Sequence, residues 1–169
     1  MAKLLPFSEL IAATTRSAVH LETRDAYTPD DERFVRWLAG HPVPVPANPA
    51  WSALVREHTA RGVQFRRARI VSEPLSDYIR FEHEITSEVN ISAGEDVRWL
   101  PRRGASGICV PLNDFWLLDD RLVRFGYFAG NGEFLDDEVT EDPAVAKMCA
   151  QAFEAVWELA VPHADYRPA

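Results

Sequence analysis

Cysteine is scarce in this chain: only Cys109 and Cys149 occur in 169 residues. They lie far apart, without metal-site spacing, so neither a disulfide framework nor a zinc cluster is expected. Two small buried thiols in a reduced, cytoplasmic protein is the reading they support. Positive charge is also short. Lys and Arg number 18 against 26 Asp and Glu, a formal charge of −8, which argues against a general nucleic-acid or anionic-membrane surface. Long apolar runs are missing too. None reaches the roughly 20 residues that cross a bilayer, and MAKLLPFSEL is too short in its apolar part for a signal peptide. Finally, the motifs of common catalysts are absent. There is no GxSxG, Walker loop, GxGxxG or HExxH, and His20, His41, His58 and His163 show no paired spacing.

What is present suits a folded domain. Apolar residues make up 47% and aromatics 11%, and a chain of this size buries roughly 70% of its unfolded surface without staples. Residues 62–98 organise the rest. Val63, Phe65, Ala68, Ile70 and Val71 alternate with Arg66, Arg67 and Arg69, which reads as a strand with arginines at exposed ends. Ser72-Glu73-Pro74 makes a turn, Ser76 to Ala93 an amphipathic helix, and Gly94 its stop. Val97 to Leu100 begins a second strand. Strand, helix, strand in this order predicts a parallel βαβ unit.

Before it, Phe7 to Thr23 is expected to be helical, with Ser8 as cap and Leu10, Ile11, Thr14, Ala18 and Leu21 near helical spacing. Thr28-Pro29-Asp30-Asp31-Glu32 predicts a second helix start, with Phe34, Val35, Trp37 and Leu38 as the buried face. HPVPVPANP (residues 41–49) is an extended connector. Asn48 and Pro49 introduce a third helix ending at Gly62. After the βαβ unit, strands are expected through Ile108 to Val110, Phe115 to Leu118 and Leu122 to Phe128, with Asp119-Asp120-Arg121 as a hairpin turn. Asn131-Gly132 marks another turn. The acids from Asp136 to Asp142 read as a solvated lead-in to a helix from Pro143 to about Val161. The predicted fold is α+β: N-terminal helices plus a mixed sheet of about five or six strands, with the βαβ unit and a C-terminal helix.

Two resemblances follow from particular segments. SAVHLETRDAY, RFVRWLAGHP, RIVSEPLSDYIRFE, NISAGEDVRWLPR and LNDFWLLDDRLV together resemble an uncharacterised actinobacterial family that accompanies helix-turn-helix regulators of the WhiJ type. That likeness implies a helix-turn-helix regulator protein as partner, rather than DNA itself; the charge and the short apolar runs already argue against a membrane partner. From Trp51 to His163 the order of elements is similar to one half of a phospholipase D-like domain. On that likeness, residues 1–47 are an N-terminal helical segment with a Pro-rich connector, and 48–169 an α/β phospholipase D-like domain. Active members carry His-x-Lys-x4-Asp. With Asp119 as the motif's Asp, its His and Lys positions fall on Leu112 and Asp114; with Asp120 they fall on Asn113 and Phe115. No nucleophile or phosphate clamp results, so the resemblance implies a pseudoenzyme. A lone half also implies a homodimer.

Candidate ligand-binding residues are of two kinds. Glu73, Asp77, Tyr78 and Arg80, with Arg69, lie near the carboxyl end of the first βαβ strand, where α/β sheets bind ligands. Asn113, Asp114, Trp116 and Asp119 lie where the resembling enzymes place their chemistry, and Trp116 could stack on a planar group. Asp77 could equally be compensating a helix dipole, Glu95 and Asp96 read as a solvated turn, and His83 as a surface residue kept protonated by Glu82 and Glu84. No catalytic residue, metal ligand or cofactor is assigned. The expected function is a non-catalytic regulatory or binding module. The alternative is an enzyme on a small polar or phosphorylated metabolite, using Glu73 and Asp114 with Arg69 or Arg80 as an anion clamp.

Overall fold

The computed structural model describes residues 6–44 and 47–169, which leaves the first five residues and part of the Pro-rich connector (Val45 and Pro46) outside the description. In chain order the elements are α1 (Phe7–Ala12), β1 (Ser17–Glu22), α2 (Glu32–Leu38), α3 (Pro49–Ala60), β2 (Gln64–Val71), α4 (Asp77–Val89), β3 (Glu95–Pro101), β4 (Phe115–Leu118), β5 (Leu122–Phe128), β6 (Phe134–Thr140), α5 (Pro143–Leu159) and β7 (Val161–Pro162). One seven-stranded sheet, ordered β6-β5-β4-β1-β2-β3-β7, carries them. Strands β1, β2 and β3 run parallel, and the remaining pairings are antiparallel. The fold is α+β with a C-terminal helix, as the sequence predicted.

The βαβ unit forms as expected. Ser76 caps α4, its side chain accepting from the Ile79 N–H. Gly94 takes φ 101°, a left-handed conformation that suits glycine, and admits β3 beside β2. Asn48 caps α3 with Pro49 in its first turn, and Asp142 caps α5 ahead of Pro143.

The largest correction lies at the N-terminus. The helix expected over 7–23 stops at Ala12, and Ser17–Glu22 becomes β1, the central strand between β4 and β2. The cause is a contact more than a hundred residues away in sequence. The Asp119 carboxylate accepts from the backbone N–H groups of Thr15 (3.0 Å), Arg16 (2.7 Å) and Ser17 (3.0 Å). Those donors would otherwise continue the helix ladder. Asp119 and Asp120 hold φ of 53° and 56° in the β4–β5 turn, which presents the carboxylate to them.

Smaller corrections follow. Asp31 rather than Thr28 caps α2, and Val35 and Leu38 face solvent while Phe34 and Trp37 pack near α4. Ile108 to Val110 forms no strand, because both edges of β4 are already taken by β1 and β5. The acidic run after Leu135 is the edge strand β6, whose acids meet cross-strand partners on β5: Arg124 pairs with Asp137, and Tyr127 donates to Glu138. Cys149 is buried as expected but Cys109 is exposed.

The sheet has two unlike faces. On one, Val19, Leu21, Ala68, Ile70, Leu100, Phe115, Leu117 and Val123 pack against Ala146, Cys149, Phe153, Val156 and Trp157 of α5. On the other, α1, α3 and α4 cover the two ends of the strands with separate apolar clusters. Between those clusters the strands carry charge.

Candidate functional site

Strand pairing sets two adjoining rows across the second face. Arg67 on β2 lies beside His20 on β1, which lies beside Trp116 on β4, which lies beside Arg124 on β5. One step along, Trp99 on β3, Arg69 on β2 and Glu22 on β1 align. Asp114, just ahead of β4, meets Gly126 of β5 through its backbone carbonyl at 2.9 Å. Because side chains alternate along a strand, a single register puts all of these on one side.

The charges form a buried chain, Glu82–Arg69–Glu22–Arg67–Glu95. Arg69 reaches Glu82 and Glu22 at 2.5 Å each, and Arg67 reaches Glu22 at 2.5 Å and Glu95 at 2.6 Å. Thr86 accepts a further hydrogen bond from Arg69, while Trp51 and Asn90 donate to Glu95. Aromatic faces complete the arginine surroundings: Trp99 lies 4.9 Å from Arg69, and Trp116 5.3 Å from Arg67. Burial opposes every charge here. The two guanidiniums nevertheless hold Glu22 far below the usual carboxylate range. For Glu82 burial prevails, and the Glu22 charge adds to it, so its carboxyl titrates above the ordinary value. The chain holds three carboxyl groups to two guanidiniums, so one carboxyl has no guanidinium of its own, and the raised Glu82 is the one least able to keep its charge unaided. Burial, helped by Arg67, Arg69 and Arg124, keeps His20 largely neutral, stacked on Trp116 at 4.1 Å.

Above the Glu22 end of this chain lies a cavity of about 370 Å³, lined by His20, Glu22, Asp114, Trp116, Arg124 and Gly126 from the sheet. Its walls are Tyr27 and Thr28 of the β1–α2 loop, Tyr78 and Glu82 of α4, Phe128 of β5 and Phe134 of β6. Asp114 fixes the loop wall. It accepts from the Thr23 N–H (2.8 Å), the Thr23 hydroxyl (2.7 Å) and the Tyr27 hydroxyl (2.5 Å). Burial still raises its carboxyl pKa, and the same burial with the Asp114 charge pushes the Tyr27 phenol up. Tyr27 and Tyr78 are 5.9 Å apart, Tyr27 and Phe128 5.3 Å, and Phe128 and Phe134 5.5 Å. These rings make a continuous aromatic wall beside the carboxylates.

Of the residues singled out in the sequence, Tyr78, Asp114 and Trp116 meet at this cavity, with Arg69 in the ion chain beneath Glu22 and Glu82. The others lie elsewhere. Glu73 accepts from the Tyr166 hydroxyl at 2.7 Å and lines a separate cleft with Ser72, Arg102 and Arg103. Asp77 and Arg80 form an exposed pair at 3.0 Å on α4. Asn113 sits in the loop before β4, and Asp119 is the anchor of β1. Three sequence readings are corrected. Arg67 and Arg69 are buried rather than at exposed strand ends, and Glu95 is a buried partner rather than a solvated turn. His83 is half-buried against Trp99, His163 and Tyr166, so burial lowers its pKa despite Glu84.

Sequence reasoning missed His20, Glu22, Tyr27, Glu82 and Arg124. For Glu22 and His20 the signal was hidden by the helical reading of their segment. For Arg67 and Arg69 it was visible: both share the parity of Phe65 and Val71, which are core residues.

The chain belongs to a family whose description is a domain of unknown function, DUF6879, whose model matches residues 6–168. Among curated proteins none matches. One solved structure similar to this chain is that of TrmBL2, an archaeal chromatin protein with a novel mode of DNA binding, at 13% identity and a TM-score of 0.48. The match covers 90% of this chain and 47% of that one, so the chain spans about half the length of that neighbour. At that score the likeness carries no functional weight. No helix among the described residues is long and apolar enough to cross a membrane.

Proposed function

We propose that this protein is a non-catalytic regulatory module that binds a small molecule in the cavity between β1, β4, β5 and α4. The observation that carries this reading is the cavity itself, apolar in its aromatic wall with a few convergent charged groups, the usual character of a small-ligand site. The ion chain beneath holds the floor rigid, which reduces the entropy lost on binding. The positions aligned with the phospholipase D-like His and Lys, filled by Leu112 and Asp114 or by Asn113 and Phe115, support the absence of that chemistry. The resemblance to the WhiJ-associated family supports a helix-turn-helix regulator as the partner that reads the bound state, the likeness to a lone phospholipase D-like half supports a homodimer, and the two unpaired cysteines support a cytoplasmic setting.

The enzyme alternative draws less support. Its two carboxylates are not assembled: Glu73 lies in another cleft, and Asp114 is occupied by Thr23 and Tyr27.

Thermal unfolding against a small-fragment library tests the binding reading, with Gly126→Val as control. A Cβ at Gly126 would lie 3.1 Å from the Phe128 ring, so valine fills the floor of the cavity at a position without positive φ. A ligand at a hundred times its dissociation constant stabilises by about 2.7 kcal/mol, or roughly 5–10 °C for a domain of this size. Stabilisation of the wild type and not of Gly126→Val is expected. No stabilisation by any fragment, or equal shifts in both proteins, would overturn the reading.

A further inference from the structure

The cavity's two kinds of lining point to one class of ligand. Its wall is a run of rings, Tyr78, Tyr27, Phe128 and Phe134, in edge-to-face or tilted contact, with Trp116 in the floor. Such rings carry negative faces that attract cations, and two already do so within the protein: Arg24 lies 5.4 Å from the Phe128 ring centre and Arg124 5.9 Å from that of Phe134. Beside them stand Glu22 in the floor and Glu82 one turn along α4 from Tyr78, whose side chains retain 11% and 16% exposure although both are engaged by Arg69. Glu82 Oε1 has only the Tyr78 hydroxyl, at a long 3.4 Å.

The local charges do not cancel. Glu22, Glu82 and Glu95 face only Arg67 and Arg69 within the chain. Arg124, the one further guanidinium in the lining, is committed to Asp137 across the β5–β6 pair. Asp114 adds another carboxyl to the lining, where it accepts from Thr23 and Tyr27. An anion entering here would meet surplus carboxylates and ring faces. A cation would complete the charge balance and be stabilised by the rings.

We propose that the cavity binds a small organic cation, its ammonium group seated against Glu82 and Glu22 and enclosed by Tyr27, Tyr78, Phe128 and Phe134. This deepens the ligand-binding reading and rests on it. Aromatic enclosure combined with carboxylates is how substituted ammonium groups are recognised, and about 370 Å³ suits a ligand of a few heavy atoms beyond that head group. Burial of the aromatic surface supplies affinity, while the carboxyl without a guanidinium of its own supplies the preference for positive charge.

Isothermal titration calorimetry with three probes decides between classes: choline, its uncharged carbon analogue with tert-butyl in place of trimethylammonium, and inorganic phosphate. The wild type is expected to bind choline at least tenfold more tightly than the carbon analogue, and phosphate not at all. Phe134→Leu, at a half-exposed position on an edge strand where the fold tolerates change, should weaken choline about tenfold by removing one ring face. Glu82→Gln should weaken choline by at least as much and leave the carbon analogue unaffected. Equal binding of choline and its carbon analogue, or binding of phosphate, would overturn the cation class while the cavity remains a ligand site. Failure of choline while other fragments stabilise the wild type but not Gly126→Val would have the same meaning. Failure of every probe and fragment would remove both.

Discussion

The two faces of the sheet are built by alternate residues of the same strands, yet they solve different problems. Under α5 the strands contribute Val, Leu, Ile and Phe, and the space is filled. On the opposite face β1 and β2 contribute His20, Glu22, Arg67 and Arg69, and the space above them stays partly open. Burying several charges is costly unless each finds a partner, and an apolar filling would have served stability as well. The contrast separates a face held by close apolar packing from one held by a buried ion chain with an open cavity above it.

The largest effects should come from breaking either face at its centre. Phe153→Ala on α5 removes a fully buried ring and is expected to cost about 3–5 kcal/mol. Glu22→Gln should cost a similar amount, about 3–5 kcal/mol, because it leaves Arg67 and Arg69 short of their shared partner. Urea unfolding measures both. Phe153→Ala is expected to lose stability but keep its ligand affinity wherever it remains folded, whereas Glu22→Gln loses both. Matching affinity losses in the two variants would erase the distinction between faces.

An intermediate effect is expected at the loop wall. Asp114→Ala leaves the Thr23 and Tyr27 hydroxyls without their acceptor and should cost about 1–3 kcal/mol. It should also weaken ligand binding, since Tyr27 is no longer held. Retention of full affinity would show that the loop is not part of the site.

Acid acts unequally on the two faces, because the open face and its margin hold histidines that the α5 face lacks. Burial lowers His20, His83 and His163 below 6.5, His163 to about 4. The unfolded chain therefore binds more protons than the folded one below pH 6.5. Stability from these groups is complete above that value and is lost as pH falls towards about 4. Glu82 and Asp114, raised by burial, contribute with the opposite sign. A proton NMR titration should find the His163 imidazole at about 4, near the ring of His83 at 4.7 Å. A value at 6.5 would remove the C-terminal segment from this packing.

The smallest effect is expected from Asp77→Ala. Its partner Arg80 is exposed and the pair lies on the outer side of α4, so the loss should stay below about 1 kcal/mol, from the helix dipole and a screened ion pair. Ligand affinity should not change.

How far these features could be read from the chain depended on how local their causes are. The βαβ unit was legible because Ser76, Gly94 and the alternation of β2 are all short-range signals. The hairpin at Asp119-Asp120 was legible for the same reason. Strand β1 was not, because its start is set by the Asp119 carboxylate from across the sheet, and its apolar residues serve both faces and so mimic helical spacing. The site inherited that error. Asp114, Trp116 and Tyr78 were picked individually, but their common location depends on β1 lying between β4 and β2. Glu82 could not be recognised from α4 alone, since its partner Arg69 had been read as a surface residue.

The most direct test is a crystal structure of the protein grown with choline. The trimethylammonium group is expected between Glu82, Glu22 and the rings of Tyr27, Tyr78, Phe128 and Phe134, with the ion chain beneath unchanged. Choline bound instead in the cleft of Ser72, Glu73, Arg102 and Arg103, with this cavity vacant or collapsed, would contradict that placement.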